Sequence, residues 1–278
     1  MPGTEAYHAL PQPFRIQKRL VLNQCFKSIQ SQWPPGVTVN YVTFGGEHMY
    51  DVMDLVGVFD IREQHLNLIS YEEDGGVAAQ SRTCSVASTL SKVSTISVEI
   101  VPTVFFENAR PLRDLRARGP FIYFLDDTKT FREHQASTVA ELLQAELLRH
   151  GDWLLITSSL RIVYQGQFMT KYDGAFRTFY GPRTSVTREF RARNHVDLLV
   201  AKTFSGHRPA GISRAGLLEA VLLRKFKYRD TSGMGLWLYR IDAARHSTGL
   251  LIDQTFEEFP HAFEHVDEKP KVPNIFDD

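Results

Sequence analysis

Between Val37 and Asp74 the chain reads as strand, glycine turn, helix, strand and terminal acid, an order that only a few folds accommodate. Val37 to Phe44 is β-branched and aromatic, the composition of a strand buried on both faces. It stops at Gly45-Gly46, where the backbone can turn tightly and approach a ligand closely. Glu47 to Val56 then sets Met49, Val52, Met53 and Val56 at helical spacing, so that one face can pack on a sheet. A second apolar run, His65 to Tyr71, ends in Glu72-Glu73-Asp74. Open α/β sheets bind ligands at the carboxyl ends of their strands, where an acid about 20 residues past the glycine turn can accept both hydrogens of a ribose diol. Glu72 stands 26 positions after Gly46. Gly-Gly followed by Glu-His-Met is not G-x-G-x-x-G, and taken alone it reads more readily as a plain turn. The order of elements carries the expectation, not the glycines.

The alternation continues. After Gly75-Gly76 a helix of small residues is expected over Val77 to Leu90, a strand over Val93 to Val101 and an arginine-bearing surface helix within 103–120. Phe121 to Leu125 is the next buried strand, and it ends in Asp126-Asp127-Thr128-Lys129. Carboxylates there can contact a ligand, a metal or a substrate hydroxyl; the plainer reading is that Asp127 or Thr128 caps the following helix, which leaves Asp126 as the functional one of the pair. Val139 to Leu148 is an amphipathic helix with Gly151 as its stop, and Trp153 to Thr157 a fifth strand. Repeated strand–helix alternation argues for a parallel sheet with right-handed crossovers. Ile212 to Leu223 reads as helix, and Phe226 to Tyr228 and Leu236 to Ile241 as strands joined by a connection too short for a crossover, hence an antiparallel hairpin. The expected fold class is α/β: a doubly wound, mostly parallel seven-stranded sheet ending in an antiparallel β-hairpin, with helices on both faces.

Three segments follow from this pattern: an arm and basic helix over 1–36, the α/β domain over 37–245, and an acidic tail over 246–278. The first carries three prolines by residue 13 and then a helix, Phe14 to Ile29, with Arg15, Lys18 and Arg19 near its start. It is expected to be a lid or packing helix whose basic residues form a solvated face, although they could reach into a site from above.

Five β/α units closed by a β-hairpin resemble the class I S-adenosylmethionine-dependent methyltransferases. The stretches YVTFGGEHMYD, NLISYEED, FIYFLDDT and GDWLLIT resemble a bacterial group of O-methyltransferase-like proteins, some of them associated with phosphoribosyltransferase-type or defence gene clusters. The resemblance covers roughly residues 14–160. It implies S-adenosylmethionine as cofactor, with Phe44, Gly45 and Gly46 lining its methionine part, Glu72 and the adjoining Glu73 at the ribose, and Asp126 facing the methyl group or the substrate. Gly46-Glu47 stands where the group has a Gly-Ser step, and Asp127-Thr128 where it has Tyr-Asp; both departures bear on turnover more than on fold. Because a sulfonium carbon is already electrophilic, such an enzyme mainly aligns the acceptor and supplies a base for a hydroxyl acceptor. Asp126, His48 or His134 could be that base, against a surface or packing role for either histidine. The Asp/Asn-Pro-Pro-Tyr of amino-methylating enzymes is missing after the fourth strand, and Thr157-Ser158-Ser159 stands where a metal-dependent enzyme would carry Asp-Asn, so an oxygen acceptor is expected and no metal. A chain that keeps the sheet but serves as a binding or sensor subunit in a defence assembly is the rival reading.

Composition narrows the partners. With 32 basic and 32 acidic residues the chain has no global field toward nucleic acid or membrane. At 278 residues and 43% hydrophobic it can bury one sizeable core. Cys25 and Cys84 form no disulfide framework and read as reduced, buried thiols, and no basic-then-apolar leader opens the sequence; cytoplasm is the expected compartment. Residues 161–211 hold nine Lys or Arg against three acids, interleaved with Tyr164, Phe168, Tyr172, Phe176, Phe179, Tyr180 and Phe190. Either this insertion packs its aromatics on the core and leaves its charges wet, or it binds a nucleotide, nucleic acid or a partner's acidic face. From Gly249 onward eight acids face two lysines, so the tail could cover the basic region in this chain or in a neighbouring copy, and an oligomer is allowed. His261 and His265 stand at i, i+4, and nothing completes a metal-ligand set around them.

Overall fold

The computed structural model describes residues 12–44, 50–59, 65–71, 76, 78–79, 85–101, 109–126, 133–160, 167–206, 217–229, 233–244 and 250–258. Strands β1 (Val39–Thr43), β2 (Leu66–Tyr71), β4 (Phe121–Leu125) and β5 (Trp153–Ser159) are buried at every position. Their apolar runs have that composition because both faces of a parallel sheet are covered. β3 (Ile96–Val101) alternates, with Ser97 and Glu99 exposed, as an edge strand does.

The sheet has the order β3-β2-β1-β4-β5-β7-β6-β8. β1 pairs in parallel with β2 and β4, β2 with β3, and β4 with β5. β7 (Gly233–Ala243) runs antiparallel between β5 and β6 (Leu218–Arg229). A mostly parallel sheet with its last hairpin inserted in this way is the class I methyltransferase fold. Strand order reverses between β1 and β4, and that reversal opens a crevice at the strands' carboxyl ends.

Helices cover both faces. α1 (Gln12–Gln30), α2 (Tyr50–Val56) and α3 (Ser85–Leu90) lie on one, where Val21, Phe26, Val52 and Ala87 pack against Tyr41, Leu68, Phe124 and Leu238. α4 (Arg110–Leu115), α5 (Glu133–Gln144), α6 (Asp173–Tyr180) and α7 (Arg188–Gly206) lie on the other, bringing Leu112, Val139, Phe176 and Val196 against Val42, Tyr123, Ile156 and Trp237.

Several expectations need correction. Residues 218–223 belong to the 12-residue strand β6, not to a helix. Leu, Ala and Glu favour helix locally, but pairing with β7 along the whole strand, across a bulge between Leu222 and Arg224, overrides that propensity. Of the two helices between β5 and β6, α6 and α7, the longer is α7, inside the basic stretch, and it buries ten of its residues. Among the described residues the sheet has eight strands where seven were expected, because Glu257–Glu258 adds a short β8 in parallel to β6. The helix expected within 103–120 is the six-residue α4, with Pro111 in its first turn and a 3-10 turn over Arg116–Arg118 after it. No helix among the described residues is long and apolar enough to cross a membrane.

Of the aromatics in the basic stretch, Tyr172, Phe176 and Phe190 are buried, with Phe176 and Phe190 edge-to-face at 5.5 Å. Part of the acidic tail meets this region within the same chain. Asp253 accepts Arg193 Nε at 2.7 Å and Asn194 Nδ2 at 2.8 Å. Burial opposes ionisation of Asp253, but the bonds from Arg193 and Asn194 prevail and hold its carboxyl below the usual range. Phe256 then packs on Trp237, centroids 5.4 Å apart, and Glu257 pairs with Arg224.

Candidate functional site

α1 packs along the sheet, with Phe26 edge-to-face on Tyr41 of β1 at 5.8 Å, and Lys18, two turns earlier, reaches the carboxyl end of β4. There, immediately past β4, lies Asp126. Lys18 Nζ donates to Asp126 Oδ2 at 2.5 Å, and Thr157 Oγ1, from β5, donates to Oδ1 at 2.9 Å. The Lys18 side chain is 10% exposed and that of Asp126 18%. The ammonium also stands 5.8 Å from the centroid of the Phe124 ring. Beside Lys18, Arg19 holds Asp54 of α2 with Nη2 to Oδ1 at 2.6 Å and Nε to both oxygens at 3.1 Å.

A second carboxylate lies deeper. Asp51 Oδ2 accepts Tyr41 OH at 2.7 Å and Thr43 Oγ1 at 2.6 Å, so the end of β1 is tied to the first turn of α2. Burial raises the Asp51 carboxyl, and the two hydroxyl bonds oppose it; the Asp126 charge adds to the rise and Lys18 relieves it. Burial likewise raises Asp54 against the pull of Arg19. Two cations from one helix and three carboxylates from two elements thus meet at the strand ends of the α1 face.

On the other face the end of β5 carries a buried Ser–His pair. His195 Nδ1 lies 3.0 Å from the Ala192 carbonyl, which accepts its proton, so Nε2 is the acceptor for Ser158 Oγ at 3.0 Å. Burial lowers the His195 imidazole to about 4, an effect that the Lys225 charge strengthens and the Ala192 carbonyl opposes. Next to it Lys225, wholly buried, donates to Asp197 Oδ2 at 3.1 Å, Asn194 Oδ1 at 2.9 Å and the Arg193 carbonyl at 3.1 Å. Asp197 Oδ1 accepts Tyr239 OH at 2.5 Å. These groups saturate one another inside the core, which suits a structural role.

The residues singled out in the sequence divide accordingly. Asp126 is at the crevice with its carboxylate ordered. Phe44 directly follows β1, half-buried, but it packs against the core of the α4–α7 face, whereas Asp126 meets α1 on the other. Gly45, Gly46, His48, Glu72, Glu73, Cys84, His261 and His265 lie outside the described residues. His134 is the second residue of α5. Lys18 and Arg19 are not the solvated face expected of them: both are engaged at the strand ends. Cys25 is a free, buried thiol, which burial pushes up. A cleft of about 370 Å³ opens elsewhere, between α4 and the first halves of β2 and β3, with Asn67, Ser97, Glu99 and Arg110 in its wall. Neither Asp126 nor Phe44 is in that wall.

The sequence matches no protein-family model and no curated protein. Among solved structures, the chain is similar to the mitomycin 7-O-methyltransferase MmcR at 14% identity, covering 80% of this chain and 54% of that one, with a TM-score of 0.37. It is similar to the plantazolicin methyltransferase BpumL, solved with a desmethylPZN analogue and S-adenosylhomocysteine, at 8% identity over 80% of this chain and 84% of that one, TM-score 0.43. A fibrillarin/Nop5p complex is matched at 11% identity over 74% and 73%, TM-score 0.37. The chain thus spans about half the length of the mitomycin enzyme. What defines the fold is the strand order, with antiparallel β7 between β5 and β6.

Proposed function

We propose that this protein transfers a methyl group from S-adenosylmethionine to an oxygen acceptor at the carboxyl ends of β1 and β4. The observation that carries this reading is Asp126: an ordered carboxylate directly past β4, beside the reversal of strand order where open α/β sheets bind ligands. When bound, the cofactor supplies an electrophilic methyl on a sulfonium, and the chain's own residues have only to orient the reactants and manage one proton. Asp126 is suited to contact the acceptor hydroxyl and take its proton, with Thr157 fixing the carboxylate's rotation. Phe44 at the end of β1, with Gly45, Gly46, Glu72 and Glu73 of the neighbouring segments, is assigned to the cofactor.

The test is calorimetric titration of the purified protein with S-adenosylmethionine and S-adenosylhomocysteine, alongside Glu72→Ala and Asp126→Asn. Micromolar binding weakened by roughly tenfold or more in Glu72→Ala is the expected result. No binding by a folded protein would sink this reading. One observation favours a second reading, in which the chain has kept the sheet and serves as a binding or sensor subunit of a bacterial defence assembly: Lys18 already occupies the Asp126 carboxylate. Absence of binding to either cofactor form would turn the search to that role.

A further inference from the structure

We propose that α7, β6 and β7 form a docking groove for an acidic peptide bearing one aromatic residue, that residues 253–258 of this chain occupy it as a detachable ligand, and that the same segment of a second copy can take their place. The groove has an aromatic floor and a basic wall. On the floor lies Trp237, edge-to-face with the buried His195 at 5.5 Å. Gly235 makes room for it: a Cβ at that position would stand 2.5 Å from two carbons of the Trp237 ring and 3.3 Å from Phe256 Cε1. Phe256 seats there, edge-to-face on Trp237 at 5.4 Å and with its ring centroid 5.7 Å from the Lys225 ammonium. Arg193 of α7 with Arg224 and Lys227 of β6 supplies the wall.

The segment answers the wall charge by charge. Arg193 and Asn194 donate to Asp253, Arg224 Nε donates to Glu257 Oε1 at 2.8 Å, and Lys227 Nζ lies 3.5 Å from Glu258 Oε1. The pattern read is acid-x-x-aromatic-acid-acid, running from Asp253 to Glu258, against three cations. This stretch is held as a docked peptide is held, from one side. Leu250 and Ile252, just ahead of it, are 55% and 76% exposed, and Asp253, Glu257 and Glu258 are exposed as well. Its backbone is tied by Leu251 N–H on the Phe179 carbonyl at 2.7 Å and by the two-residue ladder of β8 with β6. Ion pairs so open to water are individually weak and screened by salt. Attachment to the same chain compensates, because it keeps the segment at high effective concentration beside the groove. A second copy presents the same six side chains, and the groove reads side chains whichever chain carries them.

The test uses the full-length chain with its own segment weakened and the groove left intact. A labelled synthetic peptide of residues 250–258 is titrated into wild type, Asp253→Ala/Phe256→Ala and Asp253→Ala/Glu257→Ala, with a scrambled peptide as control. The second double variant keeps Phe256 on Trp237 and guards against loss of fold in the first. Both should bind the peptide about tenfold or more tightly than wild type, whose groove is filled, and raised salt should weaken that binding. Binding no better than wild type in both variants, or equal binding of the scrambled peptide, overturns the groove. Exchange between copies is read by sedimentation of Asp253→Ala/Phe256→Ala mixed with Arg193→Glu, which sets a like charge beside its own Asp253. A heavier species in the mixture than in either component supports exchange. Its absence overturns exchange and confines the segment to its own chain.

Discussion

Two lysine–aspartate pairs stand on opposite faces of one sheet, and they are built for different tasks. Lys225–Asp197 has side chains 0% and 5% exposed, its ammonium meets three acceptors, and Asp197 takes a further bond from Tyr239. Every proton of that ammonium is used. Lys18–Asp126 is closer, at 2.5 Å, yet more open to water, its side chains 10% and 18% exposed. Distance alone would rank the second pair as the stronger. Burial and the number of partners reverse that ranking, because an ion that has lost its water can be separated from its partners only at the cost of its full desolvation, whereas an ion at the rim is rehydrated as it leaves.

The comparison is broken most directly at Lys225. Burial drives both members toward their neutral forms, lowering the lysine and raising the aspartate, while each charge holds the other. Lys225→Met removes one charge and leaves Asp197 and Asn194 in the core, and should destabilise the protein by about 3–5 kcal/mol in denaturant unfolding. The loss should shrink at lower pH, where the orphaned Asp197 takes up a proton. A variant as stable as wild type at neutral pH would show that the pair is not the keystone of the α7 face.

His195 sharpens the same contrast through pH. Its folded-state imidazole, held to about 4 by burial, binds a proton more weakly than the unfolded one at 6.5. As pH falls the unfolded chain is protonated first, so the contribution is intact above 6.5, declines through the window down to about 4, and amounts to about 3 kcal/mol when complete. Asp51 and Asp197, raised by burial, titrate in the opposite sense, so the informative quantity is the difference between wild type and His195→Gln. That difference should narrow steadily with acidification. A constant gap from neutral pH down to the acid limit of folding would mean that the native imidazole takes up its proton as readily as the unfolded one.

How far the sequence led can be traced along single elements. β4 agrees with its expectation to the residue, because FIYFL is apolar throughout and is followed at once by Asp126. β6 escaped because its Leu-Glu-Ala start has helical propensity, and only the partner strand decides otherwise. At the site Asp126 was legible as an acid at a strand's end, a local pattern. Lys18 lies 108 residues away, and no local signal distinguishes a cation that reaches a strand end from one that faces water. The same holds for His195 and Ser158, 37 positions apart, and for Lys225, which looks in sequence like one charge of an alternating edge strand. Strand order brings such pairs together, and strand order is a property of the whole chain.

The smallest expected effect is therefore the most discriminating. Lys18→Met removes a short ion pair as Lys225→Met does, yet global unfolding should change by no more than about 1 kcal/mol. Three features set that limit. Asp126 keeps its bond from Thr157 and is open enough to be rehydrated. The methionine finds an apolar neighbour in Phe124, whose ring centroid lies 5.8 Å from the ammonium it replaces. Asp51, whose rise through burial Lys18 relieves, keeps its bonds from Tyr41 and Thr43. A loss in the range expected for Lys225 would mean that the first half of α1 is part of the core's cooperative unit. Lys18 would then be a fastening of the fold on a par with Lys225.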